Sequence, residues 1–141
     1  MTKRLLLGMA GAAILAFSPG AAAAGIISLV PSHSTVTAGD IFQVDLIATD
    51  LQIGGYDLIL AYNPLLGLIE ESGVLFDSSL GGPDDSFTFL FPGLDSLELG
   101  EVSLLTSPAD LAARQSSLSF PLAHLTVTAL SAGTLNFDFV S

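Results

Sequence analysis

The stretch Ile41-Phe42-Gln43-Val44-Asp45-Leu46-Ile47-Ala48-Thr49, followed after Gly54-Gly55 by Tyr56-Asp57-Leu58-Ile59-Leu60-Ala61-Tyr62, decides the fold class. In the first segment Phe42, Val44, Leu46 and Ala48 alternate with Gln43, Asp45, Ile47 and Thr49. Successive side chains of a strand point to opposite faces, so a period of two predicts a half-buried β-strand. In the second segment Tyr56, Leu58, Leu60 and Tyr62 share one face, and Asp57, Ile59 and Ala61 share the other. Asn63-Pro64 ends that run, because proline supplies no donor to a ladder. Working outward, shorter apolar runs at residues 66–70, 74–76, 87–91 and 101–105 are each bounded by Gly, Pro, Asp or Ser. Alternation returns over residues 122–130, with Ala123, Leu125, Val127 and Ala129 opposed to His124, Thr126 and Thr128. After the turn Ser131-Ala132-Gly133 it continues as Leu135, Phe137 and Phe139 against Asn136, Asp138 and Val140. One helical start stands out, at Ser107-Pro108-Ala109-Asp110, where Ser is the N-cap, Pro takes the first helical position and Asp follows three residues after the cap. It predicts one or two turns as far as Arg114. Many short strands with turn residues between them predict an all-β sandwich or barrel.

The first 24 residues read differently. Thr2-Lys3-Arg4 is a short basic start, residues 5–17 are an apolar run, Ser18-Pro19-Gly20 breaks it, and Ala21 to Ala24 supply the small residues of a cleavage site. This is the tripartite pattern of a secretory signal peptide, with cleavage expected after Ala24 and a domain over residues 25–141. A transmembrane anchor needs about 20 continuous apolar residues, and Pro19-Gly20 interrupts this one too early. A lipid anchor would need a cysteine, and the chain has none. The product is expected to be secreted, without a membrane anchor once the leader is removed.

Charge and composition exclude whole classes of function. The 141 residues hold 14 Asp+Glu against 3 Lys+Arg, a net charge of −11. Lys3 and Arg4 fall in the leader, so Arg114 is the only Lys or Arg of the remaining domain. Nucleic acid is excluded as a partner, since binding phosphates requires basic residues that displace counterions. Disorder is excluded by a 50% hydrophobic composition spread along the chain. With no disulfide possible, the domain must stand on hydrophobic burial alone.

Candidate chemistry is sparse. His33 and His124 lie far apart and fit no zinc-ligand spacing, and His124, on the polar face of its strand, is expected to be solvated. No serine sits in the strained G-x-S-x-G turn of a hydrolase, and the carboxylates at Glu70, Glu71, Glu98 and Glu101 specify no glycosidase pair without a cleft to space them. Asp84-Asp85, after Gly81-Gly82-Pro83, offers hard oxygens but not the ligand ladder of a calcium loop, and reads as a solvated turn. No Lys follows Gly81-Gly82 to cradle a phosphate. Sugar stacking favours Trp and Tyr, yet there is no Trp, and both tyrosines fall on the apolar face of their strand. The expectation is a protein that is not an enzyme and carries no cofactor and no metal.

Two runs in sequence, Thr35-Val36-Thr37-Ala38-Gly39-Asp40-Ile41-Phe42-Gln43-Val44-Asp45 and Ile53-Gly54-Gly55-Tyr56-Asp57-Leu58-Ile59-Leu60-Ala61-Tyr62-Asn63-Pro64, resemble the cohesin domains. Those show a Gly-Asp turn into a Val-rich strand, then an aromatic strand closing on Tyr-Asp-Pro. Residues 120–129, with Gly133 and the strand after it, are similar to the later part of the family pattern. Asn63 stands where the family usually has Asp, and it keeps the turn-forming side chain. The resemblance implies a nine-stranded jelly-roll sandwich, similar in shape to carbohydrate-binding modules of cellulose-degrading systems. Family members carry one further strand pairing near the N-terminal strand, and exported relatives often a Pro-Glu-Pro tail. This chain ends before both, so eight to nine strands lacking the last are expected.

The resemblance also implies a non-catalytic binding module that recognises dockerin-bearing proteins or polysaccharide. The alternative is a structural component of an extracellular polysaccharide matrix or envelope with no dockerin partner. In dockerin-binding cohesins an acidic residue at the position matching Asp57 contacts the dockerin. Asp57, with Ile59 and Ala61 as a flat apolar strip beside it, is therefore the expected partner-binding set; an Asp flanked by exposed apolar side chains is what a protein interface offers. One outcome is open to direct test at this level: N-terminal sequencing of exported protein should begin at Gly25, whereas an intact Met1 on membrane-bound material would contradict the leader.

Overall fold

The structure, a computed structural model, describes the backbone at residues 4–8, 12–15 and 25–140 and side chains over residues 25–140. The expected cleavage point after Ala24 lies outside the described residues. Eleven strands are described: β1 (Arg4–Gly8), β2 (Ala12–Leu15), β3 (Gly25–Pro31), β4 (Thr35–Thr37), β5 (Ile41–Thr49), β6 (Gly55–Tyr62), β7 (Gly67–Phe76), β8 (Ser86–Pro92), β9 (Ser96–Ser103), β10 (Ser119–Ala129) and β11 (Gly133–Val140). A 3-10 turn at Ser78–Leu80 and one helix, α1 (Pro108–Arg114), complete the described elements.

The strands form two sheets, ordered β4-β1-β11-β6-β9-β8 and β2-β3-β5-β10-β7. All pairings are antiparallel except that of β1 with β11. From β5 onward the chain changes sheet at every connection but the β8–β9 hairpin, which makes a jelly-roll β-sandwich. Nine of these strands lie in residues 25–140, in agreement with the fold expected from the sequence.

Period-two alternation translates directly into burial. On β5, Phe42, Val44, Leu46 and Ala48 are buried, and on β10 so are Ala123, Leu125, Val127 and Ala129. These two strands pair over most of their length at the centre of their sheet. Facing them are Leu60 of β6, Leu97 and Leu99 of β9, and Leu135 and Phe137 of β11. Each such side chain contributes about 1.5–3 kcal/mol through removal from water, so this interlayer replaces the cross-links that a cysteine-free chain lacks.

The structure extends the sequence reading in three places. Apart from Leu66, which lies in the preceding turn, the runs at 66–70 and 74–76 belong to one strand, β7, whose register against β10 shifts between Leu125 and Val127. That bulge hides the alternation, since Glu70-Glu71-Ser72 lies within it. Residues 101–103 of the run at 101–105 are the end of β9, which begins at Ser96, and Leu104 and Leu105 lie beyond it. Strand β3 carries Ile26 and Val30 outward as well as Ile27 and Leu29 inward, so its sequence has no clean period.

Helix α1 spans the residues predicted for it, with the Ser107 hydroxyl accepting from the Asp110 amide at 3.4 Å. None of its residues is buried. What fastens it is the next residue: the buried Gln115 amide accepts from Ile53 N at 3.0 Å and donates to Ile53 O at 2.8 Å and Ser79 O at 3.2 Å. One side chain thereby joins the helix to the β5–β6 loop and the 3-10 turn.

Truncating Leu125 to Ala should cost about 2–5 kcal/mol, whereas Leu94→Ala, at a side chain 93% exposed, should stay within about 0.5 kcal/mol. Urea unfolding midpoints of the two variants check the ranking.

Candidate functional site

Because β6, β9 and β8 pair in register, their outward side chains form rows across the sheet. Asp57 lies opposite Gly100, and Gly100 opposite Phe89; Ile59 lies opposite Glu98, and Glu98 opposite Phe91; Gly55 lies opposite Val102, and Val102 opposite Phe87. On the other flank, β11 places Val140 opposite Ile59 and Asp138 opposite Ala61. The outcome is one open face with acidic residues in its middle rows and an apolar margin along the edge strand β8.

Asp57 is exposed on this face, and Ile59 and Ala61 are half-buried on it. All three expected partner-binding residues therefore share one surface. The sequence reading missed its largest component. Phe87 is 61% and Phe91 60% exposed, Val102 46% and Val140 48%. Phe89 sits between the first two, its ring centroid 6.0 Å from that of Phe91 with the planes tilted by 35°. Alternation of Phe87, Phe89 and Phe91 with Thr88 and Leu90 was the available signal, but in a strand rich in phenylalanine the aromatic face looks like the core face.

Gly100 makes the arrangement possible. A Cβ there would strike the Phe89 ring and would stand 2.6 Å from the Tyr56 carbonyl oxygen. Only a glycine lets Phe89 fold down across β9 towards Asp57.

Near Ala61 the face dips into a shallow hollow of about 380 Å³, lined by Tyr62, Asn63, Asp95, Asn136 and Asp138 among others. Tyr62 packs its ring on Phe137 at 6.0 Å. Burial pushes its hydroxyl above the ordinary tyrosine range. Tyr56 points into the core, and burial, with the charges of Glu101 and Asp77, pushes its hydroxyl far above that range.

The remaining candidates lie elsewhere. His33 is exposed beside Ser32. His124 departs from the solvated side chain expected of it. Pairing of β10 with β5 sets it opposite Asp45, and it is half-buried with Nδ1 2.8 Å from Asp45 and Nε2 3.6 Å from Asp77. Burial would raise the Asp45 carboxyl, but hydrogen bonds from His124 and Gln43 outweigh it and hold it below the usual value. Asp84 and Asp85 are exposed, and Asp85 lies 3.7 Å from Arg114. Among the described residues no group of three or more His, Cys, Asp or Glu is placed to hold a metal.

No family model matches the chain, and no curated protein matches it. Solved structures do. A type II cohesin in a cohesin–X-dockerin complex from Acetivibrio cellulolyticus superposes with a TM-score of 0.64 over 82% of this chain and 77% of that one, at 14% identity. A type II cohesin domain from the cellulosome of the same organism gives 0.63 over 82% and 74%, at 16% identity. The second type II cohesin module of its adaptor scaffoldin gives 0.63 over 82% and 70%, at 13% identity. The architecture is thus that of a jelly-roll β-sandwich shared with these bacterial modules. Within that class it is the cohesin fold, as the motifs around Gly39-Asp40 and residues 56–64 implied.

Replacing Gly100 by Val should displace Phe89 and strain β6 against β9, lowering stability by about 1–3 kcal/mol. Chemical denaturation checks it; an unchanged midpoint would mean that the two strands yield more easily than their geometry indicates.

Proposed function

We propose that this protein is a non-catalytic, secreted binding module whose β8–β9–β6–β11 face receives a dockerin-like module of another secreted protein. The observation that carries the reading is the face itself. Three phenylalanines on an edge strand, with Asp57 and Glu98 beside them, leave a large apolar area exposed on a domain that has a closed core of its own. Soluble monomers seldom keep such patches, and where they occur they mark interaction surfaces. Aromatic anchors with a polar rim are also the usual anatomy of protein interfaces. The cohesin fold supports the same partner class, because one of the similar structures is a cohesin in complex with an X-dockerin.

Within this reading Phe89 and Phe91 are the anchors, Ile59 and Ala61 extend the apolar floor, and Asp57 accepts hydrogen bonds from the partner. The acidic hollow by Asp95 and Asp138 suits a Lys or Arg of the partner at the rim. Export would follow from the leader over residues 1–24, and the strong negative charge keeps the module soluble and selective for partners with a basic rim.

The test is titration of the mature domain against type II dockerin modules from the same genome, with cellulose and matrix polysaccharide as parallel arms. Dockerin binding is expected, and Asp57→Ala and Phe89→Ala should each weaken it about tenfold or more, since truncating a central contact costs more than about 1 kcal/mol. Binding that neither variant changes would move the interface off this face. Retention on polysaccharide without dockerin binding would instead support a structural component of an extracellular matrix.

A further inference from the structure

Glu101 breaks the rule that governs the rest of β9. Leu97 and Leu99 precede it on the inward face, and Glu101 continues their row at 0% exposure. Its register neighbours there are Tyr56 of β6 and Thr88 of β8. Neither carboxylate oxygen has a hydrogen-bond partner among the described residues. A buried carboxylate without partners is costly, and native structures normally satisfy such groups.

The side chain lines a cavity of about 230 Å³ at the rim between the two sheets. Asp77, just beyond the end of β7, approaches from the opposite sheet, and Gly82, Pro83, Ser86 and Thr88 form the remaining wall with Phe76. The lining offers oxygen: two carboxylates and the hydroxyls of Ser86 and Thr88. Ser86 donates its proton to the Gly82 carbonyl at 2.9 Å, so what it presents elsewhere is lone pairs. Asp77 Oδ1 accepts from the Ser79 amide at 3.2 Å.

The protein's own cations are engaged elsewhere. Arg114, the only Lys or Arg after residue 4, lies 3.7 Å from Asp85 and donates to the Ser78 carbonyl at 3.2 Å. His124 is held by Asp45 through Nδ1 at 2.8 Å, and its Nε2 stays 3.6 Å from Asp77 Oδ2. Burial drives the Glu101 carboxyl above the ordinary range, and the charge of Asp77 adds to it.

We propose that this cavity binds a hard divalent cation, Ca²⁺, with Glu101 and Asp77 as its charged ligands, the Ser86 and Thr88 hydroxyls as neutral ones, and water completing the shell. Calcium accepts six to eight oxygens in flexible geometry, whereas magnesium requires a small, near-ideal octahedron. A roomy rim cavity with mixed oxygen donors suits the former. The ion would tie the end of β7 in one sheet to β8 and β9 in the other. Strand β8 has a sheet neighbour on one side only, so this clamp would brace the strand that carries Phe87, Phe89 and Phe91.

The experiment uses the isolated, metal-free mature protein with CaCl₂ as the probe, so that it does not depend on any dockerin. Thermal unfolding should shift upward by several degrees as Ca²⁺ rises to millimolar, because a ligand that binds only the folded state stabilises it. Terbium, a calcium substitute, should show luminescence sensitised by Tyr56, the tyrosine beside Glu101, and Ca²⁺ should quench it by competition. Glu101→Gln keeps the shape of the side chain and removes the charge. It and Asp77→Asn should each lose both responses, while Glu98→Gln, on the outer face, should retain them. In metal-free buffer Glu101→Gln should unfold at or above the wild-type midpoint, which shows that the lost response is not misfolding. Absence of a Ca²⁺ shift in the wild-type protein, or an equal shift in Glu101→Gln, would overturn the site.

Discussion

The alternating inner faces of β5 and β10 are the constraint on which the molecule depends. These strands pair at the centre of one sheet, and their buried side chains, from Val44 and Leu46 to Leu125 and Val127, supply the middle of the interlayer. With no cysteine in the chain, nothing covalent fixes one sheet on the other. A register slip of one residue on either strand would turn His124, Asp45 and Gln43 inward and the core outward. Register is therefore enforced by burial, and the Asp45–His124 contact is a consequence of the same pairing seen from the solvent side.

Once the interlayer is set, the opposite face of the β11-β6-β9-β8 sheet is determined in position but not in chemistry. Its composition is unusual for a free surface, with aromatic side chains on the edge strand and acidic ones further in. Edge strands are commonly blunted with charge or proline. Here β8 ends in Pro92 but carries no charge, its outward row is Phe87, Phe89 and Phe91, and Phe89 is folded down over Gly100 rather than left to project. The face thereby stays flat enough to be covered by another molecule. Its negative residues oppose unselective sticking among copies of the same acidic chain.

Glu101 belongs to the other side of that sheet and couples the two sides. It interrupts an apolar row at the point where the sheets diverge and a cavity opens. The same strand pair that carries this buried carboxylate inward carries Phe89, Phe91 and Glu98 outward. Whatever neutralises the charge at the rim acts on the strands that form the outer face with Phe89, Phe91 and Glu98, through backbone pairing and over a single strand's width.

How much of this was legible in the sequence depends on the range of the interaction concerned. Strands β5, β6, β10 and β11 alternate cleanly because each has one face in the core, and α1 is announced by a local cap, so both were readable from spacing alone. Asp57, Ile59 and Ala61 were assignable to one face of β6 for the same reason. Strand β3 and the bulged β7 were not, since apolar residues on both faces, or an acidic bulge within the strand, erase the period. The phenylalanine margin, the place of Gly100 beneath Phe89, the clasp of Gln115 on Ile53 and Ser79, and the isolation of Glu101 were beyond the sequence. Each joins strands or loops far apart in the chain, and periodicity says which side of its own strand a residue takes, whereas only the pairing of the strands and the stacking of the sheets decides what it meets there.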